Sequence, residues 1–417
     1  MSSIIFYGAG KNAEINFEKW VSQGLNPVCF ADADTVKHHK MFGGDGGCVP
    51  ILPLSEALSL YPDYELYITQ RNIKQIRDFL IETGIDSNRI KFCESANGMA
   101  EWRRGCKDLN HFIRVSGFRM FTCCYLDVQR NHLGVIQPNP LDIRHNQDYN
   151  DGIKKYIDLV SETINKLRNN TPCVCDNCPL LSEEFWEKKP RIVTLILDGW
   201  FKDDVCNLKC TYCGQMQSHF GDYRLVDIAK KFSDELPDIK EWFYTGGELS
   251  VYPHKQELYD FAREKKWKLS MVFTNAVVYD NFFADSSVSY KSLNCSLDSG
   301  TRETYYKIKQ KDCFERVVNN LKRYSNEGCE ILLKYILLEN VNDSFNEFEN
   351  FTRIACDIGA TVRLSFEKTM TSEVLKNLYD SICLFMKLCR DKGLKLEVED
   401  LLMDFENMQE FHKIAKG

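Results

Sequence analysis

The stretch Cys206-Asn207-Leu208-Lys209-Cys210-Thr211-Tyr212-Cys213 places three cysteines on one short loop, with the spacing C-x3-C-x2-C. It comes shortly after the apolar run Ile192–Leu197, which is typical of a buried strand. Three soft thiolates suit an iron–sulfur cluster or a zinc ion. Structural zinc sites usually close with four protein ligands, but the next Cys or His after this loop is His219. The loop therefore predicts an iron–sulfur cluster with one iron left open for another ligand.

Three further motifs follow apolar, strand-like runs downstream of the cysteine loop. In chain order they are Thr245-Gly246-Gly247-Glu248, Phe273-Thr274-Asn275 and Ser296-Leu297-Asp298-Ser299. Together with the cysteines, this order resembles the radical SAM superfamily, whose members carry a Gly-Gly-Glu motif and a Ser-x-Asp site. The resemblance extends over roughly residues 191–367.

The resemblance implies a role for each motif. The three loop cysteines would bind three irons of a [4Fe–4S] cluster, and the amino and carboxylate groups of SAM would chelate the fourth. One electron from the cluster would split the sulfonium of SAM and give a 5′-deoxyadenosyl radical, which abstracts hydrogen from a substrate. The residues that would contact SAM are Tyr212 near the adenine, Gly246, Gly247 and Glu248 at the methionyl ammonium, Asn275, and Ser296 and Asp298 at the ribose or methionyl end.

Residues 191–417 alternate between strand-like apolar runs and amphipathic helices such as Glu315–Tyr324 and Phe345–Ile358. The resemblance implies that six such units form a partial (β/α)6 barrel. Active sites in sheets of this kind lie at the carboxyl ends of the strands, where all four motifs fall. The predicted strands are Ile192–Leu197, Trp242–Tyr244, Leu269–Thr274, Ser292–Leu297, Ile331–Leu337 and Thr361–Phe366.

Alternation along two of these strands predicts which side chains face the barrel interior. On the fourth strand, Ser296 and Asp298 share one face, and Cys295 points to the helices as a core thiol. On the sixth strand, Arg363 and Glu367 share a face. Charged side chains inside a parallel barrel are unfavourable without a partner. Two interpretations stay open: Arg363 pairs with Glu367, or it binds the carboxylate of SAM or of the substrate.

Residues 1–98 contain a glycine-rich turn of a different kind. Gly8-Ala9-Gly10-Lys11-Asn12-Ala13 follows the apolar strand Ile4–Tyr7, and Asp32 ends a second strand. The glycines permit a tight turn, and the helix N-terminus after them could hold a phosphate. The pattern resembles the small Rossmann-like domains found beside sugar-modifying enzymes. It predicts either a nucleotide or nucleotide-sugar site at Gly8, Gly10 and Asp32 or a purely structural turn.

Residues 99–190 are rich in cysteine. A predicted β-hairpin around Ser116-Gly117 leads to the pair Cys123-Cys124, and a later stretch reads Cys173-Val174-Cys175-Asp176-Asn177-Cys178. The pattern resembles SPASM/twitch modules, which hold auxiliary [4Fe–4S] clusters, although those modules usually follow the barrel. A zinc ribbon is the alternative, and Cys173 is a reserve ligand. The predicted ligands of the auxiliary cluster are Cys106, Cys124, Cys175 and Cys178.

Composition limits the partners of the chain. The 417 residues include 18 cysteines and carry a net charge of −7, which argues against broad binding to nucleic acid. The N-terminus lacks the layout of a signal peptide, and no apolar run approaches membrane-spanning length. We therefore expect reduced cysteines in the cytoplasm, no membrane partner, and a one-electron donor such as flavodoxin or ferredoxin.

The sequence thus predicts an α/β enzyme in three parts: a Rossmann-like domain at 1–98, an auxiliary-cluster segment at 99–190, and a partial barrel with C-terminal helices at 191–417. The favoured function is oxidoreductase-like oxidation, epimerisation or rearrangement of a sugar or nucleotide-sugar, because of the N-terminal pattern. Modification of a peptide, which SPASM/twitch enzymes commonly perform, is one alternative. A non-enzymatic iron–sulfur sensor or binding module is the other, and the motifs for SAM argue against it.

Overall fold

The computed structural model groups the chain into two compact units. The first comprises Met1–Cys106 and Lys166–Lys189, and the second comprises Lys107–Asn165 and Pro190–Gly417. The segment 99–190 is divided between them, and the three-part division of the chain stays a prediction. The described residues are 2–22, 24–43, 49–70, 73–92, 100–117, 119–121, 142–144, 149–176, 178, 180–187, 189–199, 201–213, 223–367 and 372–398.

A six-stranded sheet forms the centre of the first unit, as far as the described residues show. Its strands are β1 (Ser3–Tyr7), β2 (Pro27–Ala31), β3 (Met41–Phe42), β4 (Val49–Leu52), β5 (Tyr64–Ile68) and β6 (Ile90–Phe92). The order is β3-β4-β2-β1-β5-β6, and every neighbouring pair is parallel except β3 with β4. The helices between these strands are α1 (Lys11–Ser22), α2 (Leu54–Leu60) and α3 (Ile73–Glu82). The predicted alternation of strands and helices in this part is confirmed.

Both faces of the central strand β1 are buried, as expected for a parallel sheet covered by helices. On one face, Phe6 meets Trp20 and Phe30 edge-to-face, with ring centroids 5.6 and 5.4 Å apart. On the other face, Ile5 packs in a second cluster with Leu66. The glycine turn after β1 is therefore anchored to a well-packed strand.

A two-stranded antiparallel sheet also belongs to the first unit. It consists of β7 (Ala100–Gly105) and β11 (Ser182–Glu187), with Gly105 opposite Ser182. A Cβ atom on Gly105 would lie 2.6 Å from the Trp186 ring, so only glycine fits there. This sheet brings the residues just after β7 close to those just before β11.

Two sheets of mainly parallel strands form the second unit. One has the order β10-β9-β8-β12-β13-β14 and the other β15-β16-β17-β18-β19, and the described residues form no closed barrel. The third predicted strand is observed as two short strands, β14 and β15, one in each sheet. The strands are β8 (Phe112–Ser116), β9 (Arg119–Phe121), β10 (Asp142–Arg144), β12 (Thr194–Leu197), β13 (Glu241–Tyr244), β14 (Lys268–Leu269), β15 (Val272–Phe273), β16 (Ser292–Ser296), β17 (Glu330–Leu337), β18 (Thr361–Phe366) and β19 (Leu396–Val398).

The predicted hairpin around Ser116-Gly117 is present, but it belongs to the six-stranded sheet of the second unit. β8 pairs antiparallel with β9 and parallel with β12, so that Ile113 lies opposite Leu195. Both side chains are fully buried. A further parallel strand, β19, which the sequence did not predict, extends the other sheet beyond β18. The second unit therefore has two parallel strands beyond the six predicted ones: β8 next to β12, and β19 next to β18.

Helices cover the apolar faces of these sheets. Tyr335 of β17, for example, lies against Phe351 and Phe385, with ring centroids 4.6 and 5.0 Å apart. Cys295 is fully buried, as predicted for a core thiol. No helix in the described part of the chain is long and apolar enough to cross a membrane. The helices are α4 (Lys107–His111), α5 (Tyr149–Arg168), α6 (Leu225–Glu235), α7 (Lys255–Glu264), α8 (Asn281–Ala284), α9 (Arg302–Lys309), α10 (Phe314–Asn326), α11 (Phe345–Ile358), α12 (Ser372–Asn377) and α13 (Tyr379–Asp391).

Candidate active site

The cysteine loop follows β12 and is held against the C-terminal end of α9. The Lys209 N–H donates to the Lys309 carbonyl oxygen at 3.3 Å. The Thr211 N–H donates to the Ile308 carbonyl oxygen at 2.9 Å. Because these two bonds flank Cys210, they fix the backbone on both sides of the central cysteine of the loop.

The three loop cysteines are free, half-buried thiols. Burial is the main cause that raises the pKa of Cys206 to about 11; the Leu208 N–H opposes this shift, and Glu248 and the other two thiols add to it. Thiolates gathered without a cation repel one another, and a bound metal displaces their protons. Within the described residues, no three His, Cys, Asp or Glu side chains form a group that could hold a metal ion.

The two glycines of the Gly-Gly-Glu motif allow a close approach between loops. A Cβ atom on Gly247 would lie 2.1 Å from the Val205 carbonyl oxygen, and one on Gly246 would lie 2.6 Å from the Gly199 Cα. The Glu248 N–H donates to the same Val205 oxygen at 2.7 Å. The end of β13 is thus joined to the segment that leads into the cysteine loop.

The Glu248 side chain is 1% exposed, and its carboxylate accepts four hydrogen bonds from described residues. Oε1 accepts from the Ser250 N–H at 3.1 Å, the Ser250 hydroxyl at 2.6 Å and the Thr274 hydroxyl at 2.9 Å. Oε2 accepts from the Asn275 N–H at 2.6 Å. Burial raises the pKa of Glu248 above its ordinary 4.5, although these hydrogen bonds oppose the shift. Oε2 has the capacity to accept from a second donor.

Asn275 connects this carboxylate to the cysteine loop. Its Nδ2 donates to Asn207 Oδ1 at 2.7 Å and lies 3.7 Å from Cys206 Sγ. Its backbone N–H is the donor to Glu248 Oε2. The structure therefore brings three predicted site residues, Cys206, Glu248 and Asn275, into one hydrogen-bonded network at the carboxyl ends of parallel strands.

Asp298 lies two residues beyond the end of β16, outside the alternation from which its interior position was predicted. Its φ of 59° lies in the left-handed region, so the alternation of β16 ends before it. Oδ2 accepts from the Tyr212 hydroxyl at 2.5 Å and from the Lys309 ammonium, and Oδ1 accepts from the Ile336 N–H at 2.8 Å. The contacts with SAM expected of Tyr212 and Asp298 stay predictions, and those of the half-buried Ser296 do as well.

Arg363 has a different partner from the one the sequence suggested. It donates to Glu397 Oε2 of β19 at 2.7 Å, so the interpretation as a pair with Glu367 is wrong. The strand that carries Glu397 was not predicted. Ser296, Lys334 and Arg363 occupy one row across β16, β17 and β18. This row gives the sheet a polar strip on the face opposite the buried helix contacts.

In the first unit, Asp32 stabilises the glycine turn. The buried carboxylate accepts from the Ala9 N–H at 2.6 Å. The side chain of Gln70 lies over Gly8, where a Cβ atom would come within 2.5 Å of it. The ligand contacts expected of Gly8, Gly10 and Asp32 stay predictions, and the structure gives Asp32 a structural use as well.

Three of the predicted auxiliary-cluster ligands lie near the ends of β7 and β11: Cys106 directly follows β7, and Cys175 and Cys178 precede β11. An ion pair of 3.2 Å between Arg104 and Asp176 joins β7 to the turn that contains two of the predicted ligands. The antiparallel pairing places the end of β7 beside the same turn. Cys124, the fourth predicted ligand, lies outside the described residues. The predicted ligands located in this unit are Cys106, Cys175 and Cys178.

Residues 204–352 match the family described as the Radical SAM superfamily. The chain carries a radical SAM domain. The match includes the cysteine loop, Glu248, Asn275 and Asp298, as the motifs predicted. Members of this family use a [4Fe–4S] cluster together with SAM.

Relatives and solved structures of similar fold match parts of the chain. GTP 3',8-cyclase of Synechocystis sp. is 25% identical over 146 residues, which cover 34% of this chain and 45% of that protein. GTP 3',8-cyclase of Petrotoga mobilis is 28% identical over 204 residues, covering 45% and 61%. The chain thus spans about half the length of these relatives. The structure of Streptococcus suis SuiB bound to the precursor peptide SuiA is similar with a TM-score of 0.39 at 16% identity, over 52% of this chain and 51% of that one.

The donor types present in the radical SAM domain fit these cofactors. Three free thiols on one loop are the donor set that an iron–sulfur cluster requires. A nearby carboxylate, Glu248, has an oxygen that can accept from the ammonium group of a ligand. Asn275 stands between the two. Cys206, Cys210 and Cys213 would therefore hold the cluster, and Glu248 would hold the methionyl end of SAM.

Sequence reasoning missed Lys309, which lies under the cysteine loop. A lysine at the end of an amphipathic helix normally reaches solvent, so the residue type did not indicate that Lys309 is buried. Its position four residues after the buried Tyr305 places it on the same helix face. That spacing was the available signal that Lys309 points into the protein.

The pKa of Glu248 gives a first test of this site in metal-free protein. A carboxyl whose pKa is raised on folding contributes stability that is complete below the unfolded value of about 4.5. That contribution is lost as the pH rises through the folded pKa. We expect the free energy of unfolding of the wild type to fall with rising pH relative to Glu248→Gln, by up to about 1.4 kcal/mol per pH unit. Denaturant unfolding at a series of pH values from about 4.5 upward measures both curves; parallel curves would contradict the buried, titrating carboxyl.

Proposed function

We propose that this chain is a radical SAM enzyme that uses the cysteine loop for a [4Fe–4S] cluster and cleaves SAM reductively. The observation that supports this most strongly is the network formed by Cys206, Asn275 and Glu248. The network joins the proposed metal-binding loop to Glu248, the carboxylate proposed to bind SAM, and it lies within the residues that match the radical SAM superfamily. A sensor or a simple binding module needs no such connection.

The chain's own residues hold and orient the reactants. Cys206, Cys210 and Cys213 would supply the thiolates. Glu248 would accept the methionyl ammonium at Oε2, because Oε1 already accepts from three protein donors. Asn275 fixes the relative position of loop and carboxylate through its amide and its backbone N–H. When bound, the reduced cluster supplies one electron for the cleavage of SAM, and the resulting deoxyadenosyl chemistry removes hydrogen from the substrate.

The proposed substrate is a sugar or nucleotide-sugar. The row Ser296, Lys334 and Arg363 gives the sheet polar and cationic side chains at the face where a polar substrate would bind. The two relatives above are named for GTP, a nucleotide that contains a sugar. Transfer of deuterium from a labelled substrate into 5′-deoxyadenosine identifies the substrate directly.

We also propose an auxiliary [4Fe–4S] cluster bound by Cys106, Cys124, Cys175 and Cys178. The pairing of β7 with β11 and the Arg104–Asp176 ion pair support it, because both hold the described cysteines of this set in one region. A cluster with four protein ligands has no open iron, so its role would be electron transfer with a substrate radical. That role suits a net oxidation.

Cleavage of SAM is the direct test of the proposed activity. Reconstituted, reduced protein should produce 5′-deoxyadenosine and methionine, and Cys210→Ala should abolish production because the cluster loses a ligand. Cys356→Ala is the matched control, since Cys356 is exposed on α11 and distant in sequence from every motif. Chromatography of both products measures the rate. Wild-type rates in Cys210→Ala would remove the loop from the reaction.

The auxiliary cluster should persist without the cysteine loop. A variant with Cys206, Cys210 and Cys213 all changed to Ala should retain about four irons and four sulfides per chain, the content of one [4Fe–4S] site. Iron and sulfide analysis with atomic absorption for zinc distinguishes the outcomes. Zinc, or no metal, in that variant would assign residues 99–190 a structural role instead.

A further inference from the structure

Lys309 is a buried cation that the proposed activity does not use. It is the last residue of α9, and its side chain is 2% exposed. A buried ammonium is unfavourable unless it is paired and hydrogen-bonded. The Asp298 carboxylate, 0% exposed, supplies the pairing at 2.5 Å.

The position of this ammonium is fixed by its neighbours. It donates to the Tyr212 hydroxyl at 2.7 Å, and that hydroxyl donates in turn to Asp298 Oδ2. The Ile336 N–H holds the other carboxylate oxygen. The ammonium also lies 5.1 Å from the centroid of the Tyr212 ring. If Lys309 turned to solvent, the buried Asp298 carboxylate would lose its counter-ion, so this arrangement is unfavourable.

This fixed charge is placed under Cys210. The backbone bonds of Lys209 to Lys309 and of Thr211 to Ile308 hold the loop over the end of α9. Tyr212, whose hydroxyl accepts from this ammonium at 2.7 Å, lies two residues after Cys210 on the same loop. The backbone bonds and this side-chain bond therefore attach the buried cation to the loop on both sides of Cys210.

We propose that the Lys309 ammonium, held in place by Asp298 and Tyr212, raises the reduction potential of a cluster bound at Cys210. The inference rests on the proposed function, since it needs a cluster on this loop. Reduction adds one electron from an external one-electron reductant, and no bond forms or breaks. A nearby positive charge stabilises the more negative, reduced form.

Burial is what makes this charge effective. Lys311, two residues further along, also contacts the loop, with its Nζ donating to the Asn207 carbonyl oxygen at 3.1 Å. Its side chain is exposed, so water and salt screen its charge. Lys309 and Lys311 thus form a matched pair of the same residue type, one inside and one outside.

The test is a redox titration of full-length, reconstituted protein followed by electron paramagnetic resonance. The signal that changes when SAM is added identifies the loop cluster. We expect Lys309→Met to lower the equilibrium constant for its one-electron reduction about tenfold, which is about 59 mV. Lys311→Met should leave the midpoint unchanged. Asp298→Asn should move it upward, because the counter-charge is lost and the ammonium remains.

A double variant, Lys309→Met with Asp298→Asn, serves if Lys309→Met alone does not fold, since it leaves no unpaired buried charge. The equilibrium constant for one-electron reduction of the cluster should be about tenfold smaller in the double variant than in Asp298→Asn. Equal midpoints in these comparisons, with full iron content, overturn the proposal while leaving SAM cleavage by the wild type intact. Downward shifts in both single variants also overturn it, because they indicate a merely structural role. A wild type that binds no cluster overturns both this inference and the proposed function.

Discussion

The buried carboxylate of Glu248 is the contact on which the candidate site depends. Taking a carboxylate out of water is unfavourable, and here the Ser250, Thr274 and Asn275 donors offset part of this effect. Those donors come from the ends of two different strands, so satisfying one side chain joins β13 to β15 across the boundary between the two sheets of the second unit. The Glu248 N–H and the Asn275 amide then extend the connection to the cysteine loop.

Two buried carboxylates, Glu248 and Asp298, are connected to the cysteine loop, and they differ in their hydrogen-bond partners. Glu248 accepts hydrogen bonds from neutral donors, and its Oε2 can accept from one further donor, such as a cationic group of a ligand. Asp298 is neutralised by Lys309 and is further engaged by Tyr212. The family resemblance implied that both acids contact SAM. In the structure the two acids have different partners: Glu248 accepts from neutral donors, and Asp298 is paired with the Lys309 ammonium.

Much of the fold could be predicted because its signals are local. The bounds of the helix Phe345–Ile358 agree with the predicted ones, since Ser344 caps its start and Gly359 ends it with a φ of 64°. The pairing of β8 with β12 could not be predicted, because apolar alternation within Phe112–Ser116 marks a strand without naming its partner about 80 residues later. The same limit hid β19 and hence the true partner of Arg363. Spacing located the cysteine loop and Glu248, but their common network with Asn275 depends on three-dimensional contacts.

Cys206, Cys210 and Cys213 are proposed to bind a cluster with one iron left open for SAM. Mössbauer spectroscopy of protein reconstituted with ⁵⁷Fe tests it most directly, because an iron that gains nitrogen and oxygen ligands changes its isomer shift. Addition of SAM should change the spectrum of one iron per chain and leave the others unaltered. Spectra that are identical with and without SAM, in protein that holds a full cluster, would show that no iron of the cluster is open to SAM.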